Sequence, residues 1–273
     1  MSKTTRLLQV VVGKHGYRNP AGNSARNVLL GEVLHLAENQ SATGVVLPAG
    51  FWTVDNPSRV PTFAKFIQQR IGSCGIALIA GIDVATSGEL SLVKCRRTLR
   101  TTLKKISGIS RGGLPYYGFA IDTSGALIGP FQQESRTAED ASGARPLDPE
   151  SRWVRISAGR VAVLVCGEGH NKAYRQALAE RPADAVAMLG HDGLGQGLVP
   201  TIRSIAHHTK RPVLHVQHLA TKAWMHFADE NAMDHPLAVR KTLRLPLTKD
   251  GPWFAWSIRE ISPRKTRIHK KAS

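Results

Sequence analysis

Cys166 ends the apolar run of the stretch Arg160 to His170, RVAVLVCGEGH, and it is the residue whose type and setting best suit covalent chemistry. The run Val161 to Val165, bounded by glycines, reads as a buried central strand. The thiol then stands at the carboxyl end of that strand, where open α/β architectures place their ligands. Gly167 and Gly169 permit a sharp turn whose N–H groups face back toward the sulfur or a bound oxyanion. A thiol attacks as its thiolate, so it needs a base or a positive neighbour. Glu168 and His170 follow two and four residues later. Glu134 and Glu139 come after a predicted hairpin, and His191 and Asp192 occupy the loop after the next strand, on the same sheet edge. A Cys–His pair makes a workable nucleophile and base, so Glu168 and His191 are the candidate bases for Cys166. The competing reading is a buried structural cysteine flanked by solvated loop residues.

The elements that must position these residues follow from periodicity. Leu7 to Val12, Gly44 to Pro48 and Ile76 to Ala80 read as buried strands, the second ending in a turn over Ala49 to Trp52. Between them lie helices from Asn23 or Ser24 to about Asn39 and from Pro57 to Arg70. Tyr117 to Asp122 and Ala126 to Phe131 flank Thr123-Ser124-Gly125, a hairpin turn. A second hairpin joins Trp153 to Ser157 and Arg160 to Cys166. Helices over 170–181 and 198–209 then alternate with strands over 183–189 and 212–219, and a last strand is predicted from Trp253 to Ile258. Strand–helix alternation with hairpins in the middle argues for a layered α/β fold with mixed sheets. Residues 1–260 are expected to form one domain, with a basic insertion around 83–115 and a basic, disordered tail over 261–273.

Charge is the unusual bulk property. The chain of 273 residues carries a formal charge of +17. Lys94 to Arg111 holds seven Lys or Arg and no acid, and the tail from Arg264 adds five more. Those twelve leave +5 for the rest, so two segments hold most of the excess. Arg96, Arg97, Arg100, Lys104 and Lys105 are the candidate anion-binding residues, for nucleic acid or another anionic partner, with salt-sensitive binding as the expected signature. A solvated loop is the competing reading. No aromatic run accompanies the basic residues, which argues against a base-stacking platform.

Cys74, Cys95 and Cys166 form no ligand spacing, and the odd count fits a reducing compartment; a cytoplasmic protein is expected. No apolar run approaches the roughly 20 residues that span a bilayer, and the amino-terminal apolar run is too short for a signal peptide. His207, His208, His215, His218, His226 and His235 match no metal-ligand spacing. His215 and His218 fall on opposite faces of their strand. No metal or other cofactor is expected.

LLQVVV, GVVLPAGF, YGFAIDTSGALIGPFQQ and RVAVLVCGEG, followed by ADAVAMLGHDGLG, a helix and RPVLHVQHLA, together resemble the carbon–nitrogen hydrolase (nitrilase) superfamily over about Leu7 to Ala220. The resemblance implies a four-layer α-β-β-α sandwich, commonly paired into a homodimer through helices near the cysteine. It also implies a Glu, Lys, Cys triad in which Glu moves protons, Lys stabilises the tetrahedral intermediate and Cys attacks. Carried over by position, the glutamate falls on Ala49, the lysine on Gln133 (Gln132 if the register slips by one) and the nucleophile on Cys166. Only Cys166 is chemically competent. The resemblance thus implies a nitrilase-like protein with a dismantled triad and a residual pocket around Cys166. The alternative is an active amidohydrolase with a relocated base. The family joins the strands matching IALIA and YGFAID by a much shorter connection, whereas roughly 30 residues intervene here.

Overall fold

The structure, a computed structural model, describes residues 4–13, 19–72, 74–85, 116–134, 148–157, 159–191, 199–219, 225–228 and 253–262. The basic residues of 94–111, the basic tail, Glu139, Asp192 and His235 lie outside them.

Among the described residues, nine strands follow one continuous path folded into two sheets, and three more pair beside it. The first sheet has β1 (Thr5–Gly13) between β2 (Gly44–Val46) and the antiparallel β12 (Trp253–Ile261). It continues outward through β4 (Ala77–Val84), β5 (Tyr116–Ile121) and β6 (Leu127–Gln132), while β3 (Trp52–Val54) adds to the far end of β4. The second sheet is β7 (Trp153–Ile156), β8 (Gly159–Val165), β9 (Ala185–Gly190) and β10 (Val213–Leu219), with β11 (Met225–Ala228) antiparallel on β10. The sheets join where β1 meets β10, at Val12 opposite His218 and Gly13 opposite Leu219.

Alternation along the strands explains why several are apolar on both faces. Val161 and Val163 of β8 enter a middle layer with Ala185, Ala187 and Leu189 of β9 and with Leu7, Ala77, Ile79 and Ala120 of the first sheet. Ala162 and Leu164 face the other way, onto Tyr174 and Leu178 of α3 (Lys172–Glu180) and Ile202 and Ile205 of α4 (Val199–Thr209). The first sheet is covered in the same way. Leu29, Leu30 and Val33 of α1 (Asn23–Asn39) and Ala64 and Ile67 of α2 (Val60–Ile71) pack on Leu8, Val10, Leu78 and Ile82. The order is helix, sheet, sheet, helix.

Four local expectations change. Strand β4 runs on to Val84, with all eight residues buried, where the sequence reads as breaking down at Asp83. Its Gly81 and Asp83 continue the inward-facing set of Ala77 and Ile79. Trp52–Val54, expected as the end of a turn, pairs with Ile82–Val84, and Met225–Ala228 is a strand inside a stretch with no clear period. The second expected helix opens as a 3-10 turn over Pro57–Arg59, capped by the Asn56 side chain, before α2 begins.

Candidate active site

The parallel strands of both sheets deliver their carboxyl ends to one rim of the middle layer. Cys166 follows β8, His191 follows β9, Asp83 lies near the end of β4, and Ala49 and Gly50 follow β2. Cys166 opens a 3-10 turn, Cys166–His170, with φ of +45°, a left-handed conformation that a side chain adopts only under strain. Cys166 is half-buried as a residue, and Gly167 and Gly169 beside it are buried.

His191 is the partner of the thiol. Its charge, its side chain and its backbone all act on Cys166. Its Nε2–H donates to Asp83 Oδ1 at 2.8 Å, an oxygen supplied from 108 residues away. Cys166, His191 and Asp83 therefore stand in series as thiol, imidazole and carboxylate. Burial alone would raise the thiol pKa, but the charge and hydrogen bonds of His191 outweigh it and hold the thiol below its usual value. Burial alone would lower the His191 pKa; the charges of Asp83 and Cys166 and their hydrogen bonds reverse this and push it up to about 9. Both directions favour a thiolate–imidazolium pair at neutral pH.

Asp83 sits in a row that crosses three strands. Tyr116 stands opposite it on β5, and Gln133, one residue past β6, donates its N–H to Tyr116 O at 2.8 Å and so continues the ladder. The Tyr116 ring lies over His191 with centroids 4.3 Å apart. Gln133 is buried, 3% exposed. On the other flank, the Ala49–Gly50 turn packs flat against β4. A Cβ on Gly50, where φ is +63°, would lie 2.5 Å from Asp83 Oδ2, and one on Gly81 would lie 2.5 Å from the Ala49 Cα. Ala49 is fully buried in the apolar middle layer.

His218 anchors this turn, its Nε2–H donating to Gly50 O at 3.1 Å. Burial first, then the positive charge of Arg26, push its pKa down to about 3, so the imidazole stays neutral. A depressed histidine pKa stabilises the fold fully above the unfolded value of about 6.5 and loses that contribution as pH falls toward the folded value, at about 1.4 kcal/mol per pH unit. Between about pH 6.5 and 8.5 His191 and Cys166 cancel each other in this linkage. The raised His191 stabilises fully below about 6.5 and loses this as pH rises through its folded value, while the lowered Cys166 runs in the opposite sense. Either protonation arrangement of that pair holds one proton. Urea midpoints should therefore decline from about pH 6.5 toward pH 4, and His218→Gln should flatten that decline. An unchanged slope in the variant would show that His218 is not the group responsible.

Glu168, a candidate base in the sequence, is fully buried and holds the turn together. Oε2 contacts Arg152 Nη1 at 2.5 Å and accepts the Val165 N–H at 2.8 Å, while Oε1 accepts the Glu134 N–H at 2.9 Å. Burial raises its pKa, opposed by Arg152 and by these N–H groups. Arg152 also donates to Gln132 O at 3.2 Å and stacks on Phe131 at 4.7 Å. Glu134 accepts from the Tyr174 hydroxyl at 3.0 Å. His170 contacts Thr201 of α4 through Nδ1 at 3.0 Å. Sequence reasoning missed Asp83, Tyr116 and Arg152 as site residues. Asp83 had one available signal, its place on the inward parity of Ala77, Ile79 and Gly81. Among the described residues, no group of three or more His, Cys, Asp or Glu is arranged to hold a metal.

No protein-family model and no curated protein matches the sequence. Solved structures do. One is an amidase variant from Nesterenkonia sp. AN1 carrying the acetamide moiety of fluoroacetamide on its active-site cysteine. It aligns with a TM-score of 0.60 at 12% identity over 95% of this chain and 90% of that one. Another variant of that amidase, described as from the nitrilase superfamily, aligns with a TM-score of 0.58 at 14% identity over 83% and 84%. A carbon–nitrogen hydrolase from Helicobacter pylori aligns with a TM-score of 0.56 at 11% identity over 83% and 82%. With helices outside two stacked sheets and a cysteine on the rim between them, the chain has the fold of the carbon–nitrogen hydrolase (nitrilase) superfamily.

Proposed function

We propose that this protein is a cysteine-dependent amidohydrolase whose proton-transfer work is done by His191, held by Asp83, in place of a glutamate at position 49. The observation that carries the reading is the hydrogen bond of His191 to the buried Asp83 carboxylate, beside a thiol that His191 favours as its thiolate. The fold shared with amidases supports an amide as the substrate class.

With Nε2 committed to Asp83, Nδ1 of His191 is the nitrogen left to exchange a proton with the reaction. The Cys166 thiolate attacks the amide carbon, an S–C bond forms, and the carbonyl π pair moves onto oxygen. When the C–N bond breaks, the imidazolium gives its proton to the departing nitrogen, and a thioester remains. His191, now neutral, takes a proton from water as the water attacks the thioester; collapse then expels the thiolate and the carboxylic acid product. Asp83 holds the ring in place and stabilises the imidazolium without taking the proton itself. Glu168 is assigned to positioning, because its oxygens are engaged by Arg152 and two backbone N–H groups.

Ala49 favours a second reading, a ligand pocket without turnover, since its methyl group can accept no proton. A panel of primary amides and nitriles, incubated with the parent and with Cys166→Ser, separates the two. Release of ammonia by the parent and its loss in Cys166→Ser is the expected result. Equal or absent release in both proteins would leave only the pocket.

A further inference from the structure

We infer that the Gln133 side-chain amide is the oxyanion donor of Cys166, a neutral group aimed at the charge that develops on the substrate carbonyl oxygen. The inference rests on the acyl-transfer reading above and assigns it a further catalytic residue.

Placement comes from two independent constraints. The first is the ladder. Gln133 pairs with Tyr116, Tyr116 pairs with Asp83, and all three share the inward parity of Phe131, which packs in the middle layer. His191 touches two members of that row, the Asp83 carboxylate and the Tyr116 ring. The second is the Arg152–Glu168 pair, which grips the chain on both sides of Gln133. Arg152 Nη2 donates to Gln132 O, and the Glu134 N–H donates to Glu168 Oε1. The other oxygen of the same carboxylate accepts the N–H of Val165, the residue before Cys166. One carboxylate thus ties the segment carrying Gln133 to the strand end carrying the nucleophile.

The chemistry explains why a neutral donor belongs here. In a triad of glutamate, lysine and cysteine the ammonium supplies the positive charge. Here that charge already resides on His191, next to the sulfur. A second cation in this buried rim would repel the imidazolium and lower its proton affinity. A carboxamide donates two hydrogen bonds with no such repulsion, and a fixed neutral donor is an effective oxyanion stabiliser in a site poor in water.

The test compares two reactions of the same sulfur. Acylation by p-nitrophenyl acetate passes through an oxyanion; alkylation by iodoacetamide does not. Gln133→Ala should slow acylation about 10²–10³-fold, the usual effect of removing one oxyanion donor. Alkylation should stay within about twofold of the parent, since the thiolate depends on His191. Gln133→Met, which keeps the volume, should behave like Gln133→Ala and guards against a packing defect. Gln133→Lys should fail to restore acylation and should shift the alkaline limb of the acylation profile to lower pH. Unchanged acylation in the Ala and Met variants overturns the inference. So does an equal fall in both reactions, which is the signature of a merely structural glutamine. A parent that is alkylated but never acylated overturns the acyl-transfer reading, and this inference with it.

Discussion

Replacing Asp83 with Asn is expected to slow Cys166-dependent turnover by about 10³–10⁴-fold while leaving the protein folded. The carboxylate is 1% exposed and its Oδ1 holds the His191 ring. An amide at this position removes the negative charge that raises the His191 pKa, so the imidazolium loses its main stabiliser. Two effects on Cys166 then compete. The Asp83 charge itself disfavours the thiolate, so its removal helps ionisation directly. The indirect loss wins, because His191 acts on the thiol more strongly than Asp83 does. The pH profile of alkylation reports the balance. The parent should react with iodoacetamide at a nearly constant rate from the lowered thiol pKa up to about pH 9. Asp83→Asn should instead show a rate that climbs with pH toward an ordinary thiol value of about 8.5. A variant profile that overlays the parent would remove Asp83 from the mechanism.

Arg152→Met is expected to destabilise the protein by about 3–5 kcal/mol, the largest stability effect in the site. Arg152 and Glu168 are 3% and 0% exposed, so truncating the arginine leaves a carboxylate in a dry environment with only two N–H partners. Its pKa, already raised by burial, must rise further. A carboxyl with a folded pKa above its unfolded one stabilises below the unfolded value and loses that contribution as pH rises through the folded one. The variant should therefore recover stability on acidification. Glu168→Gln added to Arg152→Met should restore part of the loss, since the lone buried charge is gone. Urea unfolding of the parent, the single variant and the double variant decides it. A single variant no less stable than the parent would mean that the pair contributes nothing net. The same variant loosens the clamp on either side of Gln133, so its acylation should suffer beyond what stability explains.

Much of the architecture is legible in the chain because its signals are local. The strand after Arg160 follows from a short apolar run between glycines, and α1 follows from apolar residues at helical spacing. The opposite facing of His215 and His218 follows from a period of two, and His218 indeed lies with Asp83 and His191 in its surroundings. Cys166 at a strand end, and His191 after the next strand on the same edge, follow from the order of elements alone.

The site was decided elsewhere. Asp83 looks like the first residue of a polar excursion, because a carboxylate and a glycine interrupt the apolar run of β4. A buried charge is tolerated only with a partner, and that partner, His191, lies 108 residues further along. No local pattern records such a pairing. Glu168 shows the same division in reverse. Proximity to Cys166 in sequence suggested a base, but folding brought Arg152, Val165 and Glu134 to its oxygens and made it a clamp. The sequence by itself determined which strands carry the reactive residues to a common rim, because side-chain period and chain order are local properties. Only the tertiary structure decided which of those residues touch, because burial and charge pairing depend on contacts between sheets that no single segment encodes.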